Sequence, residues 1–226
     1  MALISDGYPV VLRLDGRRVL VVGAGPVAAR KLGALLSAGA AVTIVAPLVV
    51  DDIRTLAAAG RVTVFERRYA ASDLDGVQLV IVSTNDATVQ RQVFDDCEAE
   101  GIWCNAADDP DNCSFILPAV TRRGPVIVAV STQGSSPALA GVLRDIVTGA
   151  LPANVEAVAA QLGSERAVMR SAGRSTESVD WRPRVQALLS SRPPDELARV
   201  DKSDTSSASV FRDASVEEAV DEQDQG

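Results

Sequence analysis

The chain has 226 residues, 47% of them hydrophobic, and a formal net charge of −8. This size and composition allow one large domain or two modest ones with a sizeable core, and no apolar run is long enough to span a bilayer, which excludes a membrane-embedded protein. Histidine is absent, so proton transfer is left to carboxylates or hydroxyls, the commonest transition-metal ligand is missing, and we predict no resident metal site.

The acidic charge is concentrated at the end of the chain. Residues 201–226 contain eight acids against Lys202 and Arg212, and such a segment cannot bury enough apolar surface to fold. We therefore predict an acidic disordered tail over 193–226 and no nucleic-acid partner. Residues 1–8 lack the basic and apolar parts of a signal peptide, so the expected location is the cytoplasm. The three cysteines lack C-x-x-C spacing, and we expect reduced, mostly buried thiols.

Apolar strand-like runs alternate with helical segments through the first half of the chain. In chain order, the pattern predicts a strand at 19–22, a helix at 26–37, strands at 42–45, 62–65 and 79–83, a helix at 86–100 and a strand at 102–105. The runs are apolar throughout, as in a parallel sheet that helices cover on both faces. The fold class is α/β, with a Rossmann-type doubly wound sheet in a domain over 1–112.

The alternation of strands and helices ends in the second half of the chain. Strand-like runs at 114–121 and 125–131 flank Arg122-Arg123-Gly124 and predict a hairpin within a small β region at 113–135. Helical patterns follow at 137–148, 153–171 and 181–189, which indicates a C-terminal helical domain over 136–192. Two apolar strands with a short turn make a poorly covered ribbon, so we expect a second copy to complete it in a homodimer.

A glycine-rich turn follows the first strand. Gly23-Ala24-Gly25-Pro26-Val27-Ala28 has the G-x-G-x-x-A spacing of a dinucleotide-binding turn. Gly23 permits the tight turn, Gly25 lets the backbone approach a pyrophosphate, and Pro26 and Val27 open a helix whose free N–H groups attract phosphate. A purely structural tight turn is the alternative.

Two other strand ends are candidate cofactor contacts. The second strand leads into Ala46-Pro47 without an acid for the adenosine ribose, so the motif alone leaves NAD and NADP open, although the lack of a basic residue there favours NAD. Thr84 and Asn85 follow the fourth strand at the edge where such sheets bind ligands. They fit a helix cap equally well.

The ordered motifs resemble a known family, the precorrin-2 dehydrogenase/sirohydrochlorin ferrochelatase module of sirohaem synthase. The similarity covers about residues 8–189. Five segments carry it: V-V-G-A-G-P-V-A-x-R-K at 21–31, S-T-N-D at 83–86, C-N-A-A-D-D-P at 104–110, S-F-I-L-P-A at 114–119 and V-S-T-Q-G-S-S-P at 130–137.

The resemblance implies oxidation of precorrin-2 to sirohydrochlorin with NAD, and in many members insertion of ferrous iron at the same site. It implies that the strands at 113–135 serve dimerisation and the substrate site. Asp108 matches the family's catalytic aspartate, a carboxylate able to take the proton released in dehydrogenation. An acidic turn at 108–111 is the alternative that the residues alone favour.

Substrate contacts are expected from Asn105 and from the loop before the next helix. That loop is rich in hydroxyls and glycine, which suits the carboxylates of a tetrapyrrole; its candidate residues are Ser131, Thr132, Gly134, Ser135 and Ser136. The family commonly has Ser-Ser where this chain has Ser131-Thr132. Ser136 also fits a helix N-cap. Arg122, Arg123 and Arg144 are candidate partners of substrate carboxylates, or solvated surface charges.

Two other functions fit part of the sequence. A dehydrogenase that leaves iron insertion to a separate protein has the same motifs. A non-catalytic dinucleotide-sensing module would account for the glycine turn but not for C-N-A-A-D-D-P or S-F-I-L-P-A. The methyltransferase domain often fused to this module has no counterpart before Gly226, so we expect a stand-alone module or a fragment of a fusion.

Overall fold

The computed structural model describes residues 7–107, 109 and 112–191. The predicted catalytic Asp108 and the predicted tail lie outside these residues. The chain divides into two compact units, one from the described residues of 7–121 and 128–149, the other from 122–127 and 150–191. Within the described ranges, no helix has both the length and the apolar character needed to cross a membrane.

The first unit contains the predicted strands and helices and, in addition, two short helices at 51–58 and 71–74 that were not predicted. The elements are β1 (Arg18–Ala24), α1 (Pro26–Ser37), β2 (Ala41–Val49), α2 (Asp51–Ala58), β3 (Thr63–Phe65), a 3₁₀ helix (Ala71–Leu74), β4 (Leu79–Val82), α3 (Ala87–Glu100) and β5 (Trp103–Ala106). The five strands form one parallel sheet in the order β3-β2-β1-β4-β5. This order is Rossmann-like and confirms the predicted fold class.

Helices cover both faces of the sheet. Val19 and Val21 of β1 pack with Leu32 of α1 on one face, whereas Leu20 and Val22 pack on the other face with residues such as Val93 of α3. Successive strand side chains point to opposite faces, so β1 is apolar throughout because both of its faces are buried. β1 is central, which puts its carboxyl end beside those of β2 and β4.

The remaining strands form a separate two-stranded sheet. They are β6 (Ala119–Arg123) and β7 (Val126–Val130), and the two-residue connection between them makes the predicted hairpin. The strand predicted at 114–121 begins too early, however. Pro118 has no N–H to give to a ladder, and Ser114 instead hydrogen-bonds to the backbone of Cys104 in β5.

Three helices complete the chain: α4 (Pro137–Ala150), α5 (Val155–Ser171) and α6 (Arg182–Ser190). In the second unit, the Asn154 side chain donates hydrogen bonds to the carbonyls of Leu188 and Ser191 at 3.0 and 3.1 Å. The helices α4, α5 and α6 lie close to the three helical segments predicted at 137–148, 153–171 and 181–189. The predicted domain boundaries at 112, 135 and 192 stay predictions, and α4 belongs to the first unit.

Candidate functional site

The glycine turn after β1 depends on a backbone conformation that suits glycine. Gly23 has φ +105°, and a methyl group added there would lie 2.5 Å from the carbonyl oxygen of Ser83. The pairing of β1 with β2 shifts register between Val22 and Ala24, so that Ala24 aligns with Val49. Gly23 therefore allows the turn after β1 to lie against the chain that leaves β4.

The second glycine leaves open space at the start of α1. Gly25 is the N-cap of this helix, it makes no side-chain cap, and a methyl group placed on it would meet no protein atom within 4 Å. The N–H groups of Val27 and Ala28 belong to the first helical turn, where the α-helix itself supplies no acceptor, and Pro26 has no N–H. Open space beside free N–H groups and a positive helix end fits a pyrophosphate.

The end of β4 contributes an unsatisfied hydroxyl beside this turn. Ser83 Oγ is buried and has no hydrogen-bond partner among the described residues. Such a group ordinarily costs stability unless a ligand or water satisfies it. Thr84 accepts a hydrogen bond from the Asp86 N–H through its hydroxyl at 3.2 Å, and its carbonyl accepts one from Gln90 at 2.6 Å.

The cap of α3 is Asp86. Its carboxylate accepts from the N–H groups of Thr88 and Val89. The alternative that Thr84 or Asn85 caps this helix is therefore wrong, because the Asp86 carboxylate accepts the hydrogen bonds of the first helical turn. Asn85 is exposed, which leaves its amide accessible to a ligand.

The end of β2 shows which parts of Ala46 and Pro47 could meet a ligand. The Ala46 side chain is buried in the core and Pro47 is exposed, so Ala46 could contribute only its backbone. Beyond them, Asp51 and Asp52 form the first turn of α2. Arg54 on the same helix is paired in bidentate fashion with Glu66; this hydrogen-bonded pairing raises the pKa of Arg54 and lowers that of Glu66.

Asn105 lies on β5 and is almost fully buried. Its amide donates to the carbonyl of Phe115 at 2.9 Å, and its Oδ1 accepts from Lys31 Nζ at 3.5 Å. The predicted substrate residue is thus tied to α1 through Lys31 and to the backbone of Phe115. Beside it, burial raises the pKa of the Cys113 thiol, an effect that Asp109 reinforces and that Lys31 and the Ala106 N–H oppose.

The predicted substrate loop uses most of its hydroxyls internally. Thr132 Oγ1 accepts from the Ser136 N–H at 3.0 Å and donates to the Ser136 carbonyl at 2.9 Å. Ser131 accepts from the Gln133 N–H, and Ser136 accepts from the Leu139 N–H, which confirms Ser136 as the cap of α4. Gln133 and Gly134 both have positive φ. No hydrogen bond of the described structure occupies the Ser135 hydroxyl.

Comparisons with known proteins support a dinucleotide-binding domain in the first half of the chain. Residues 10–119 match a family described as "Putative NAD(P)-binding". A "Siroheme synthase" of Photorhabdus laumondii is 36% identical over 186 residues, which cover 82% of this chain and 36% of that protein. A "Siroheme synthase 1" of Aeromonas salmonicida is 37% identical over 198 residues, 87% of this chain and 42% of the relative.

A solved structure extends the agreement to the fold. The protein "SirC, precorrin-2 dehydrogenase" superposes with a TM-score of 0.62 and 28% identity, over 87% of this chain and 100% of that one. The chain is therefore similar both to a precorrin-2 dehydrogenase and to part of several sirohaem synthases. The match confirms the predicted resemblance, including the Rossmann-type NAD(P)-binding domain. The chain spans less than half the length of the sirohaem synthases that it matches.

Several residues in and beside the candidate site were not predicted from the sequence. These residues lie in or beside the sequence motifs: Ser83, Lys31, Asn112 and Cys113. Ser83 and Lys31 fall inside the quoted segments, which was the available signal. Nothing in the spacing of Cys113 indicated that its sulfur would contact the backbone on both sides of Asp108.

Proposed function

We propose that this chain oxidises precorrin-2 to sirohydrochlorin with NAD, and that Asp108 is its catalytic residue. The observation that carries the proposal is the match to a precorrin-2 dehydrogenase over that protein's full length. The open turn at Gly25 and the buried, unsatisfied Ser83 hydroxyl support it, because both fit a bound dinucleotide.

The chain's own residues have separable tasks in this reaction. The α1 N-terminus holds the pyrophosphate through the N–H groups of Val27 and Ala28. NAD supplies the hydride acceptor when bound. The substrate loses one hydride and one proton, and the Asp108 carboxylate takes the proton, since no histidine is present to do so. Asn105 and the loop at 131–136 orient the tetrapyrrole.

The charges beyond β2 favour NAD over NADP. A 2′-phosphate would meet the negative charges of Asp51 and Asp52 at the start of α2. Arg54, which could otherwise offset them, is already paired with Glu66. Measured dissociation constants should therefore be lower for NAD than for NADP, and Asp51→Asn with Asp52→Asn should narrow the difference.

Iron insertion, dimerisation and cytoplasmic location remain parts of the proposal that rest on the resemblance or the sequence. Ferrous iron would be a substrate, and within 7–107, 109 and 112–191 no three His, Cys, Asp or Glu side chains lie close enough to hold a metal. Dimerisation is supported by apolar side chains that are exposed on β6, β7 and α4: Val120, Ile127, Leu139, Val142 and Ile146.

The test is an anaerobic absorbance assay with precorrin-2 and NAD, followed by ferrous iron. The wild-type chain should form sirohydrochlorin and then sirohaem. Oxidation without accelerated iron insertion would select a dehydrogenase that needs a separate chelatase, and NAD binding without turnover would select a sensing module.

Two adjacent acids provide the matched variants. Asp108→Asn should abolish most turnover, because the amide cannot accept the proton. Asp109→Asn should lower turnover far less, because the new amide oxygen can still accept the 2.6 Å hydrogen bond from Asn112. Equal losses in the two variants would contradict the assignment to Asp108, provided that both melt like the wild type.

A further inference from the structure

The segment that leaves β4 runs beside the glycine turn. A methyl group added to Gly23 would lie 2.5 Å from the Ser83 carbonyl oxygen and 3.0 Å from the Thr84 nitrogen. In sheets of this kind, the adenosine ribose is held at the end of the second strand and the pyrophosphate at the first turn. β4 flanks β1 on the side away from β2. The segment at 83–85 is therefore placed beside the nicotinamide half of a bound dinucleotide.

A buried glutamine is hydrogen-bonded to this segment. Gln90 lies on the buried face of α3 together with Val93 and Cys97. Its Nε2 donates to the Thr84 carbonyl at 2.6 Å, and its backbone N–H donates to the Asp86 carbonyl at 3.0 Å. A buried amide side chain costs stability unless it is hydrogen-bonded. The contact with Thr84 therefore accounts for a polar residue at this buried position.

The direction of the Thr84 carbonyl determines the direction of the next N–H. Both belong to the peptide group between Thr84 and Asn85, and in a planar trans peptide the C=O and N–H bonds point in opposite directions. The carbonyl is directed toward the buried Gln90 side chain. The Asn85 N–H is therefore directed away from α3, and Asn85 is exposed.

Most polar groups around this N–H are already used within the protein. The Ser83 N–H donates to the Val22 carbonyl at 2.7 Å, and the Thr84 hydroxyl accepts from the Asp86 N–H at 3.2 Å. Among the described residues, the buried Ser83 hydroxyl and the Asn85 backbone N–H have no partner. Unsatisfied donors at the ligand-binding edge of such a sheet indicate a contact that forms with a ligand.

We propose that Gln90 is a positioning residue for the cofactor. Its hydrogen bond to Thr84 turns the Asn85 N–H toward an acceptor oxygen in the nicotinamide half of NAD, a ribose hydroxyl or the carboxamide oxygen. Gln90 itself touches neither cofactor nor substrate, and it acts through the peptide group between Thr84 and Asn85. This inference rests on the NAD binding of the proposed function and not on the residue that takes the proton.

The first experiment compares two ligands in calorimetric titrations of the full chain. Gln90→Met keeps an unbranched side chain of similar helix propensity but has no N–H donor. Its Kd for NAD should rise about 3- to 10-fold, the change expected when one neutral hydrogen bond is lost. ADP keeps the adenosine and both phosphates but lacks the nicotinamide half, so its Kd should stay within about twofold of wild type.

The matched control is Gln92→Met. Gln92 is the same residue type on the same helix, but it is exposed and makes no hydrogen bond to any described residue. Its variant should bind both NAD and ADP as the wild type does. Thermal melts of both variants show whether each protein is folded at the temperature of the titrations.

The second experiment uses the wild-type chain and applies even if Gln90→Met does not fold. Heteronuclear NMR on the isotope-labelled protein follows the backbone amide of Asn85. Saturation with NAD should shift its resonance and slow its hydrogen exchange, because the N–H then donates to the ligand. Saturation with ADP should change both quantities much less, because ADP has no group at that position.

The outcomes separate the inference from the function on which it rests. If the wild type binds NAD but does not oxidise precorrin-2, the proposed function alone is overturned. A folded Gln90→Met protein with an unchanged Kd for NAD overturns the positioning role. Equal losses of NAD and ADP affinity also overturn it, because the substitution would then disturb the whole cofactor site. An Asn85 amide that responds equally to ADP and NAD overturns the assignment to the nicotinamide half.

Discussion

Replacement of Gly25 by aspartate should separate stability from cofactor binding, because the two respond in opposite directions. Gly25 is the N-cap of α1, it has φ −87° and ψ −174°, and a Cβ there meets no protein atom within 4 Å. Aspartate is a favoured N-cap, better than glycine by a few tenths of a kcal/mol. The melting temperature of Gly25→Asp should therefore equal or slightly exceed that of wild type.

NAD binding should fall strongly in the same variant. The new carboxylate occupies the space that the pyrophosphate needs and satisfies the N–H groups of the first turn itself. Loss of two hydrogen bonds to a charged phosphate costs about 3 kcal/mol or more. Repulsion between like charges about 5 Å apart adds up to about 3 kcal/mol at an effective dielectric constant of about 20. The lost hydrogen bonds alone, without the repulsion, correspond to a rise of about 100-fold in the dissociation constant Kd of NAD.

Calorimetric titration with NAD and a thermal melt of the full chain measure the two quantities. Gly33→Asp is the matched control, because Gly33 is exposed on the same helix with open space around it. It lies eight residues further on, about 12 Å along the axis and beyond the screening length of about 8 Å at physiological salt. A Gly25→Asp protein that melts normally and binds NAD as tightly as Gly33→Asp would refute the placement of the pyrophosphate.

Four further outcomes are expected. Gly23→Ala should destabilise the fold by about 2 kcal/mol or more in urea unfolding, because its methyl group would lie 2.5 Å from the Ser83 carbonyl at φ +105°; an unchanged midpoint would contradict this. Deletion of 201–226 should leave kcat and KM for precorrin-2 unchanged, and a large loss would show that the segment acts in the reaction. Hydrogen bonding from Arg67 lowers the pKa of Asp73, so the pair stabilises the fold at neutral pH and the effect is lost as the pH falls through the folded-state pKa. Asp73→Asn should therefore lower the free energy of unfolding by about 1 kcal/mol at pH 7, and the difference from wild type should vanish in acid. A difference that grows in acid would contradict the lowered pKa of Asp73. Light scattering should give twice the 23.6 kDa chain mass, and a monomer at micromolar concentration would exclude a stable dimer.

The fold could be predicted largely because its core strands are buried on both faces. The helix predicted at 26–37 has these same bounds in the structure, since Pro26 begins it and the chain turns at Gly39. The helix α2 was not predicted from the sequence, because it has only eight residues, fewer than the roughly 11 to 18 over which a helical period is read. The strand expected at 114–121 was misplaced because its first residues hydrogen-bond to β5 instead of to β7.

The candidate site was less predictable than the fold. Gly23 and Gly25 could be singled out, since a turn beside a phosphate has few alternatives to glycine. Asn105 stays a predicted substrate contact, and the sequence did not indicate that its amide also donates a hydrogen bond to the carbonyl of Phe115. Contacts to backbone groups, such as those of Cys113, depend on how loops meet in space. Residue type and spacing in the sequence do not indicate such contacts.

The hydrogen bonds between Ser114 and Cys104 also bear on how this protein avoids adding a strand of another chain to its five-stranded sheet. β5 is an outer strand of the five-stranded sheet, and an unpaired outer strand is a template on which another chain can add. At Cys104 and Asn105 the chain covers that border with its own residues 113–115. The opposite border, β3, is three residues long. A strand of another chain is therefore hindered from pairing with β5 and finds only three residues to pair with on β3. A second copy would have to dock on another surface.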